Sequence, residues 1–348
     1  PDSLFEEHPE YFALIDGERR QQGNHERQPC TTHPAVVDRI GAGVLAGFRE
    51  EPAGGSYRFL NNDGNGWCEC GRCRALDPAG EAVRTGGQVT TRFYTLKNEI
   101  TRRVREAGVP GEIWGYAYQQ YRLPPLGIRP DPALWVVLCD HGRCYRHALD
   151  DETCEPNRWF RDMYDGWAPF GNPLSSFTYY NCFTGGIIAA PLEDVVAADL
   201  RFQHRLGFRE WHLRTVPPDG RYEHLEKKGP ASVERAREFW RATMAMHYLQ
   251  AKLAWDPDRD PESVLRDMDE RFYGPAGGAM HRFRALLRKR YRETPGHYLY
   301  GSPGTLLGKS LVAPGAVAEL TALLDEAAAA AGTGTPEARR VAKDRELF

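Results

Sequence analysis

Short predicted strands alternate with predicted helices along much of this chain. The segments typical of strands are residues 56–60, 112–118, 134–139, 175–181 and 208–214. Apolar residues recur at helical spacing in residues 33–50, 91–107, 157–167 and 192–206. Because a helix after each strand returns the chain to the same end of a sheet, this alternation predicts a parallel sheet of the α/β class.

Each predicted strand carries a polar or aromatic residue near its end, namely Asp63, Tyr118, Asp140, Asn181 and His212. This pattern favours a (β/α)8 TIM-type barrel over an open doubly wound sheet. No glycine-rich phosphate loop follows the first strand, which also argues against a nucleotide fold. Five strands are fewer than the eight that a closed barrel requires, so we expect the first strands to lie upstream of Pro1.

The later part of the chain is predicted to be helical, at residues 231–254, 262–273, 277–291 and 314–331. We therefore expect three parts. Residues 1–230 would form the barrel portion with an inserted cysteine-rich loop. Residues 231–331 would form C-terminal helices that pack on the barrel, and residues 332–348 a frayed tail.

Charge and composition narrow the class of partner. The 348 residues carry a formal net charge of -3, which gives no long-range field to recruit nucleic acid or an anionic membrane. No stretch approaches the roughly 18 to 20 apolar residues of a membrane span, so we expect none. Aromatic residues make up 11% of the chain, and Tyr and Trp combine a flat apolar face with a polar edge. These properties predict an oligosaccharide or glycan as the partner.

Residues 61–73 (NNDGNGWCECGRC) combine a strand end with a group of cysteines. At the carboxyl end of a barrel strand, Asp63 would point into the mouth, where a carboxylic acid can protonate a leaving oxygen. An Asp-Gly turn whose carboxylate only caps the loop is an equally good interpretation. Asn62 beside it is a candidate for binding sugar hydroxyls.

Cys68, Cys70 and Cys73 supply three thiols within a short segment, and a structural zinc site needs a fourth ligand. Cys30 is the candidate. The competing interpretation is two disulfides, one from Cys30 to this group and one between Cys144 and Cys154, which would favour an exported protein. Cysteines as close as Cys68 and Cys70 are awkward to bridge to each other, which favours the metal. No cofactor is predicted for catalysis.

Other candidate site residues lie at or near the predicted strand ends. Asp140 is placed where a second carboxylate is needed, although a salt bridge to Arg143 or Arg146 explains it equally well. Side chains that could contact a sugar, or simply pack or brace the fold, are Trp114, Tyr118, Tyr180, Asn181, His212 and Arg214. Alternation places Trp114, Tyr116 and Tyr118 on one face of their strand, which is either the barrel interior or the helix side.

Several motifs occur in a specific order along nearly the whole chain: HPEYFAL, CTTHP, NDG with CECGRC, AY before PP, and LQAKLAWDP followed by FYG. Together they resemble the bacterial domain of unknown function 4838 family. The resemblance implies a (β/α) barrel preceded by a smaller α/β domain. It also implies a role in carbohydrate breakdown, since some members are similar to endo-β-N-acetylglucosaminidases that release N-glycans.

In those relatives the acetamido group of the substrate is thought to act as nucleophile, with one carboxylate orienting it and another acting as acid. Asp63 matches a motif carboxylate of the family. Where the family often has a tryptophan-aspartate-tyrosine stretch, this chain has Thr178, Tyr179 and Tyr180, without the aspartate. The resemblance thus implies a glycoside hydrolase for an amino-sugar or uronic-acid glycan, using Asp63 and Asp140. The alternative is an inactive glycan-binding barrel.

Overall fold

The computed structural model describes residues 2–19, 28–50, 54–81, 89–180, 189–213, 230–299 and 303–348. Its strands are β1 Leu14–Ile15, β2 Glu18–Arg19, β3 Gly55–Phe59, β4 Gly111–Ala117, β5 Trp135–Cys139, β6 Leu174–Thr178 and β7 Glu210–Leu213. The helices of the first part are α1 Asp2–Glu7, α2 Pro34–Glu50, α3 Gly71–Arg74, α4 Thr90–Glu106, α5 Glu155–Trp167 and α6 Glu193–Arg205. The later helices are α7 Pro230–Ala242, α8 Met244–Trp255, α9 Pro261–Tyr273, α10 Gly277–Glu293, α11 Pro303–Leu311, α12 Ala316–Ala331 and α13 Pro336–Leu347.

Strands β3 to β7 form one curled parallel sheet in the order β3-β4-β5-β6-β7. The register pairs Tyr57 with Ile113 between β3 and β4, and Trp114 with Trp135 between β4 and β5. The predicted parallel sheet of the α/β class is confirmed. These five strands amount to a half-barrel, and closure into an eight-stranded TIM-type barrel stays a prediction.

The chain divides into two compact units. The first comprises Pro1–Cys139, Asp162–Phe177 and Leu206–Glu210. The second comprises Asp140–Arg161, Thr178–Arg205 and Trp211–Phe348. The predicted divisions at residues 230 and 331 stay predictions.

Helices α2 and α4 cover one face of strands β3 and β4. Gly111 lacks a side chain where the ring of Phe48 from α2 approaches β4, and Phe93 from α4 packs edge-on against Phe59 of β3. Because side chains alternate along a strand, the opposite face of β4 carries Trp114 and Tyr116. The shared face predicted for these aromatic residues is therefore the face turned away from these helices.

The described residues of the second unit form two hydrophobic cores. One joins α6 and α8 through Leu200, Leu249 and their neighbours, and the other joins α10 and α12 through Met280 and Leu324. The helix predicted over residues 231–254 is two helices, because Thr243 interrupts it and its hydroxyl donates to the carbonyl of Phe239 at 2.9 Å.

The prediction that residues 332–348 form a frayed tail is wrong, because Pro336–Leu347 form helix α13. Its first turn is capped by Thr335, whose hydroxyl accepts a hydrogen bond from the amide of Ala338 at 3.0 Å. Val341 and Leu347 are buried. Burial of these side chains and the cap order the segment despite its small and charged composition. Across the described residues, no helix is both long enough and apolar enough to cross a membrane.

Candidate functional site

Four cysteines converge in the first unit, three from residues 68–73 and one, Cys30, from a distant segment. We call Cys30, Cys68, Cys70 and Cys73 the four-cysteine cluster. The Sγ atom of Cys30 lies 3.7 Å from that of Cys70 and 3.8 Å from that of Cys73, and all four sulfurs lie within 4.8 Å of one another. Four tetrahedral metal–sulfur bonds of about 2.3 Å would separate the sulfurs by about 3.8 Å. The cluster could therefore hold a metal ion, with Cys30 as the predicted fourth ligand.

The β1–β2 hairpin places polar donors against this cluster. Its turn contains Asp16 and Gly17, both at positive φ (51° and 82°), a conformation that Asp and Gly adopt readily in two-residue hairpins. The amide of Leu14 then donates to the Sγ atom of Cys68 at 3.4 Å, and Arg19 Nη1 lies 3.5 Å from the same sulfur. Such donors stabilise thiolate ligands and fix their orientation.

Two further contacts hold the four-cysteine cluster in place. The hydroxyl of Thr32 lies 3.1 Å from the Sγ atom of Cys73. On α4, Arg92 forms a salt bridge with Asp77 and donates from Nη1 to the carbonyl of Cys68 at 2.6 Å. Since α4 packs on the sheet, Arg92 connects the cluster to the core of the first unit. Hydrogen bonds with the thiols of Cys68 and Cys73 lower the pKa of Cys30 far below its ordinary value.

Asp63 and Tyr118 form a pair at the carboxyl ends of β3 and β4. Asp63 is exposed, whereas Tyr118 is half-buried and its side chain hydrogen-bonds to Asp63. Burial, and next the charge of Asp63, raise the pKa of Tyr118 to about 12. The hydroxyl therefore keeps its proton at neutral pH and donates to the carboxylate. Adjacent Asn62 accepts a 2.5 Å hydrogen bond at its carbonyl from Gln28 Nε2. We call Asp63 and Tyr118 the strand-end pair.

Two aromatic residues, Trp114 and Trp135, continue along the same face of the sheet, and we call them the aromatic surface. The rings of Trp114 and Trp135 stack with centroids 5.2 Å apart, and Trp114 Nε1 donates to Glu112 at 3.0 Å. Trp114 is only 5% exposed, which fits a packing role. Trp135, which was not predicted as a site residue, is more exposed than Trp114. Its position directly beside Trp114 in the next strand is the signal that could have found it.

Asp140 opens the second unit, directly after β5, and is fully buried. Arg143 Nε lies 3.2 Å from its Oδ2 atom, and the Arg143 guanidinium also pairs with Asp199. Tyr180 donates its hydroxyl to the same Asp199 carboxylate at 2.5 Å. Burial, only partly opposed by Arg143, raises the pKa of Asp140 to about 7. The salt bridge offered as the alternative role of Asp140 is present, and Tyr180 belongs to the same buried network.

Three further predicted contacts have different outcomes. His212 lies in β7, and its carbonyl accepts a hydrogen bond from the hydroxyl of Thr178 at 3.4 Å. Asn181 and Arg214 lie outside the described residues. A sugar-binding role for these three residues stays a prediction.

The fold and the site define a mixed α/β protein with a half-barrel sheet and a cysteine cluster able to hold a metal ion. The model of the family Domain of unknown function (DUF4838) matches residues 1–284, and the chain belongs to this family. Neither a protein of curated function nor a solved structure matches the chain. The resemblance found in the motifs is thus confirmed at the level of the family.

Proposed function

We propose that the chain is a glycoside-hydrolase-like protein that acts on a complex glycan containing an amino sugar or a uronic acid. The supporting observation is the strand-end pair. Asp63 is an exposed carboxylate held by Tyr118 at the carboxyl ends of neighbouring parallel strands, which is where barrel enzymes place their reacting groups. In its protonated form Asp63 would donate a proton to the glycosidic oxygen as the bond breaks, and as a carboxylate it would stabilise the positive charge that develops on the sugar.

Most glycoside hydrolases use two carboxyl groups. A second carboxyl group that acts as nucleophile or base is not needed if the substrate itself supplies the nucleophile. In substrate-assisted hydrolysis an acetamido oxygen attacks the anomeric carbon, so the protein contributes an acid and groups that orient the acetamide. The Tyr118 hydroxyl, which keeps its proton at neutral pH, is suited to such orientation. This mechanism would select an amino sugar at the cleaved linkage.

Glycan residues beyond the cleaved bond would contact the aromatic surface. Trp135 is partly exposed, and sugar rings can stack on indole rings through their C–H groups. Arg58 is exposed on the same face of β3, in register with Trp114. Burial raises the pKa of Tyr116 to about 12, and the charge of Arg58 partly opposes this shift. A guanidinium there would bind the carboxylate of a uronic acid.

A second candidate function is glycan binding without cleavage. The observation that favours it is the complete burial of Asp140 beside Arg143. A carboxyl group in that position has no access to a substrate, so the predicted pair of reacting acids is reduced to Asp63 alone. A barrel with one accessible acid and an aromatic surface would act as a lectin.

We further propose that the four-cysteine cluster binds a structural zinc ion. Four thiolates complete a tetrahedral shell and leave no position for water or substrate, which is the arrangement of structural sites. The zinc would join the segment of Cys30 to the loop of residues 61–73, which carries Asp63, and the β1–β2 hairpin would be held to it through Cys68.

The experiment is a mass-spectrometric screen of the purified chain against N-glycans and uronic-acid oligosaccharides. Asp63→Asn keeps the shape of the side chain and removes its acid, so we expect product formation to fall at least about 100-fold. Asp258→Asn, at an exposed turn residue of the second unit, is the control and should leave turnover unchanged. Undiminished cleavage by Asp63→Asn would exclude the hydrolytic role of Asp63. Binding without product from the unmodified chain would establish the lectin instead.

A further inference from the structure

We propose that Cys144, His147, Cys154 and His297 bind a second zinc ion, in the second unit of the chain. Their ligand atoms all lie within 4.8 Å of one another. We call this group the Cys2His2 cluster. It shares no residue with the four-cysteine cluster or with the strand-end pair, and the inference does not depend on the glycan-processing function.

The distances fit a tetrahedral ion. Nδ1 of His147 lies 3.3 Å from the Sγ atom of Cys144, and Nδ1 of His297 lies 3.8 Å from that of Cys154. Zinc–sulfur bonds of about 2.3 Å and zinc–nitrogen bonds of about 2.0 Å would separate sulfur from nitrogen by about 3.5 Å. The thiols of Cys144 and Cys154 are both free, so neither is held in a disulfide that would compete for them.

The backbone around the cluster is already held in the required shape. Asn157 is fully buried. Its Oδ1 atom accepts a hydrogen bond from the amide of Cys144 at 2.8 Å, and its Nδ2 atom donates to the carbonyls of Cys144 and His147 at 3.0 Å. The amide of Tyr145 donates to the carbonyl of Tyr298 at 2.8 Å, next to His297. These bonds place two ligands of one loop beside a ligand from a distant segment, which reduces the ordering cost of metal binding.

Charge balance also suits a divalent ion at this position. Zinc would displace one proton from each thiol into solvent, and two thiolates with two neutral imidazoles then give a site of zero net charge. A neutral site is less costly to bury than a charged one, and Cys144 and Cys154 are both buried. Zinc on Nδ1 of His147 fixes a proton on Nε2, where the Arg146 guanidinium now makes contact. Arg146 would turn toward the carbonyl of Arg292, which its Nη2 already reaches at 2.5 Å.

Four protein ligands leave no open coordination position, so the ion would be structural rather than catalytic. It would fix the loop of residues 140–154 to the segment of residues 294–299. That loop carries Asp140 and Arg143, so the metal would also hold their buried network in position. No other covalent or metal link between these two segments occurs in the described part of the chain.

The test is zinc counting by native mass spectrometry on protein purified in reductant. We expect two zinc ions in the unmodified chain and one in His297→Ala and in Cys154→Ser. Cys139→Ala changes a buried cysteine that belongs to neither cluster, and it should retain both ions. An unchanged zinc count in folded His297→Ala would overturn the proposal. A disulfide between Cys144 and Cys154 would also overturn it; this bond would lower the mass of the chain by two hydrogens and link the two cysteines in one peptide.

X-ray absorption on the unmodified chain keeps the proposal testable if the variants fail to fold. Zinc in the four-cysteine cluster alone would show a shell of sulfur only, near 2.3 Å. Occupancy of both clusters adds nitrogen ligands near 2.0 to 2.1 Å. A shell of sulfur alone would therefore exclude zinc bound by His147 and His297, whatever happens at the four-cysteine cluster.

Discussion

Asp140 shows at the scale of one residue how burial changes the chemistry of a strand-end carboxylate. Its pKa rises from an ordinary 3.8 to about 7, so the folded chain holds this proton more tightly than the unfolded chain does. The contribution of Asp140 to stability is therefore complete below about pH 4 and is lost as the pH rises to about 7. Above that pH, Asp140 no longer makes this stabilising contribution.

Asp140→Asn should remove this dependence, because the amide mimics the neutral acid. We compare the free energies of unfolding of the variant and the unmodified chain at each pH. The difference, variant minus unmodified chain, should increase by on the order of 4 kcal/mol from pH 4 to pH 8. Urea denaturation across this range measures the difference, with Asp258→Asn as the exposed control. Parallel pH profiles for the Asp140→Asn variant and the unmodified chain would show that Asp140 is ionised throughout and that the ion pair with Arg143 dominates.

At the scale of elements, the contact between α2 and β4 depends on a missing side chain. A Cβ atom at Gly111 would lie 2.4 Å from a ring carbon of Phe48. We expect Gly111→Ala to lower the free energy of unfolding by about 1 to 3 kcal/mol, because the ring has to move within a packed interface. Thermal and urea denaturation would measure the loss.

Gly43→Ala is the matched control, since Gly43 lies in α2 and an added Cβ meets no atom within 4 Å. Alanine there should raise the free energy of unfolding by about 0.5 to 1 kcal/mol, because the unfolded chain loses freedom. If both variants raised the free energy of unfolding, the lost freedom of the unfolded chain rather than the Phe48 contact would govern the effect of Gly111→Ala.

Local periodicity explains which elements could be predicted from sequence. The strands and helices of the first part have strong alternating or helical patterns, and their predicted ends differ from the observed ends by only a few residues. The break at Thr243 and the order of α13 depend on one hydroxyl and on burial by distant helices, which no local pattern contains. Closure of the sheet likewise depends on strands beyond the five observed.

The two metal clusters illustrate the same limit for sites. Three members of the four-cysteine cluster lie within residues 68–73, and this spacing predicted a metal site. In the Cys2His2 cluster, Cys154 and His297 are separated by 143 residues. From sequence, a disulfide between Cys144 and Cys154 was part of the competing interpretation. His147 follows Cys144 by three residues, but only the fold brings His297 to them, and the four side chains together could hold a metal ion.

At the scale of the whole molecule, the two clusters predict a local response to metal removal. A zinc chelator should deprive the β1–β2 hairpin of its partner, because the amide of Leu14 donates to Cys68 and the amide of Glu69 donates to the carbonyl of Leu14. We expect faster hydrogen exchange in residues 14–19 and 66–75. Helix α12, which is packed in an apolar core and supplies no ligand to either cluster, should keep its protection.

Hydrogen exchange followed by mass spectrometry measures both regions in one sample. Cys73→Ser removes a ligand of the four-cysteine cluster, so residues 14–19 should already exchange fast in this variant, and the chelator should add nothing there. The same variant should still respond in residues 144–154 if the Cys2His2 cluster holds its own ion, because neither cluster supplies ligands to the other. Acceleration of α12 to the same extent as the hairpin would mean that zinc stabilises the fold globally. No acceleration anywhere would mean that the thiols order the hairpin through hydrogen bonds alone, such as the one from the amide of Leu14 to Cys68.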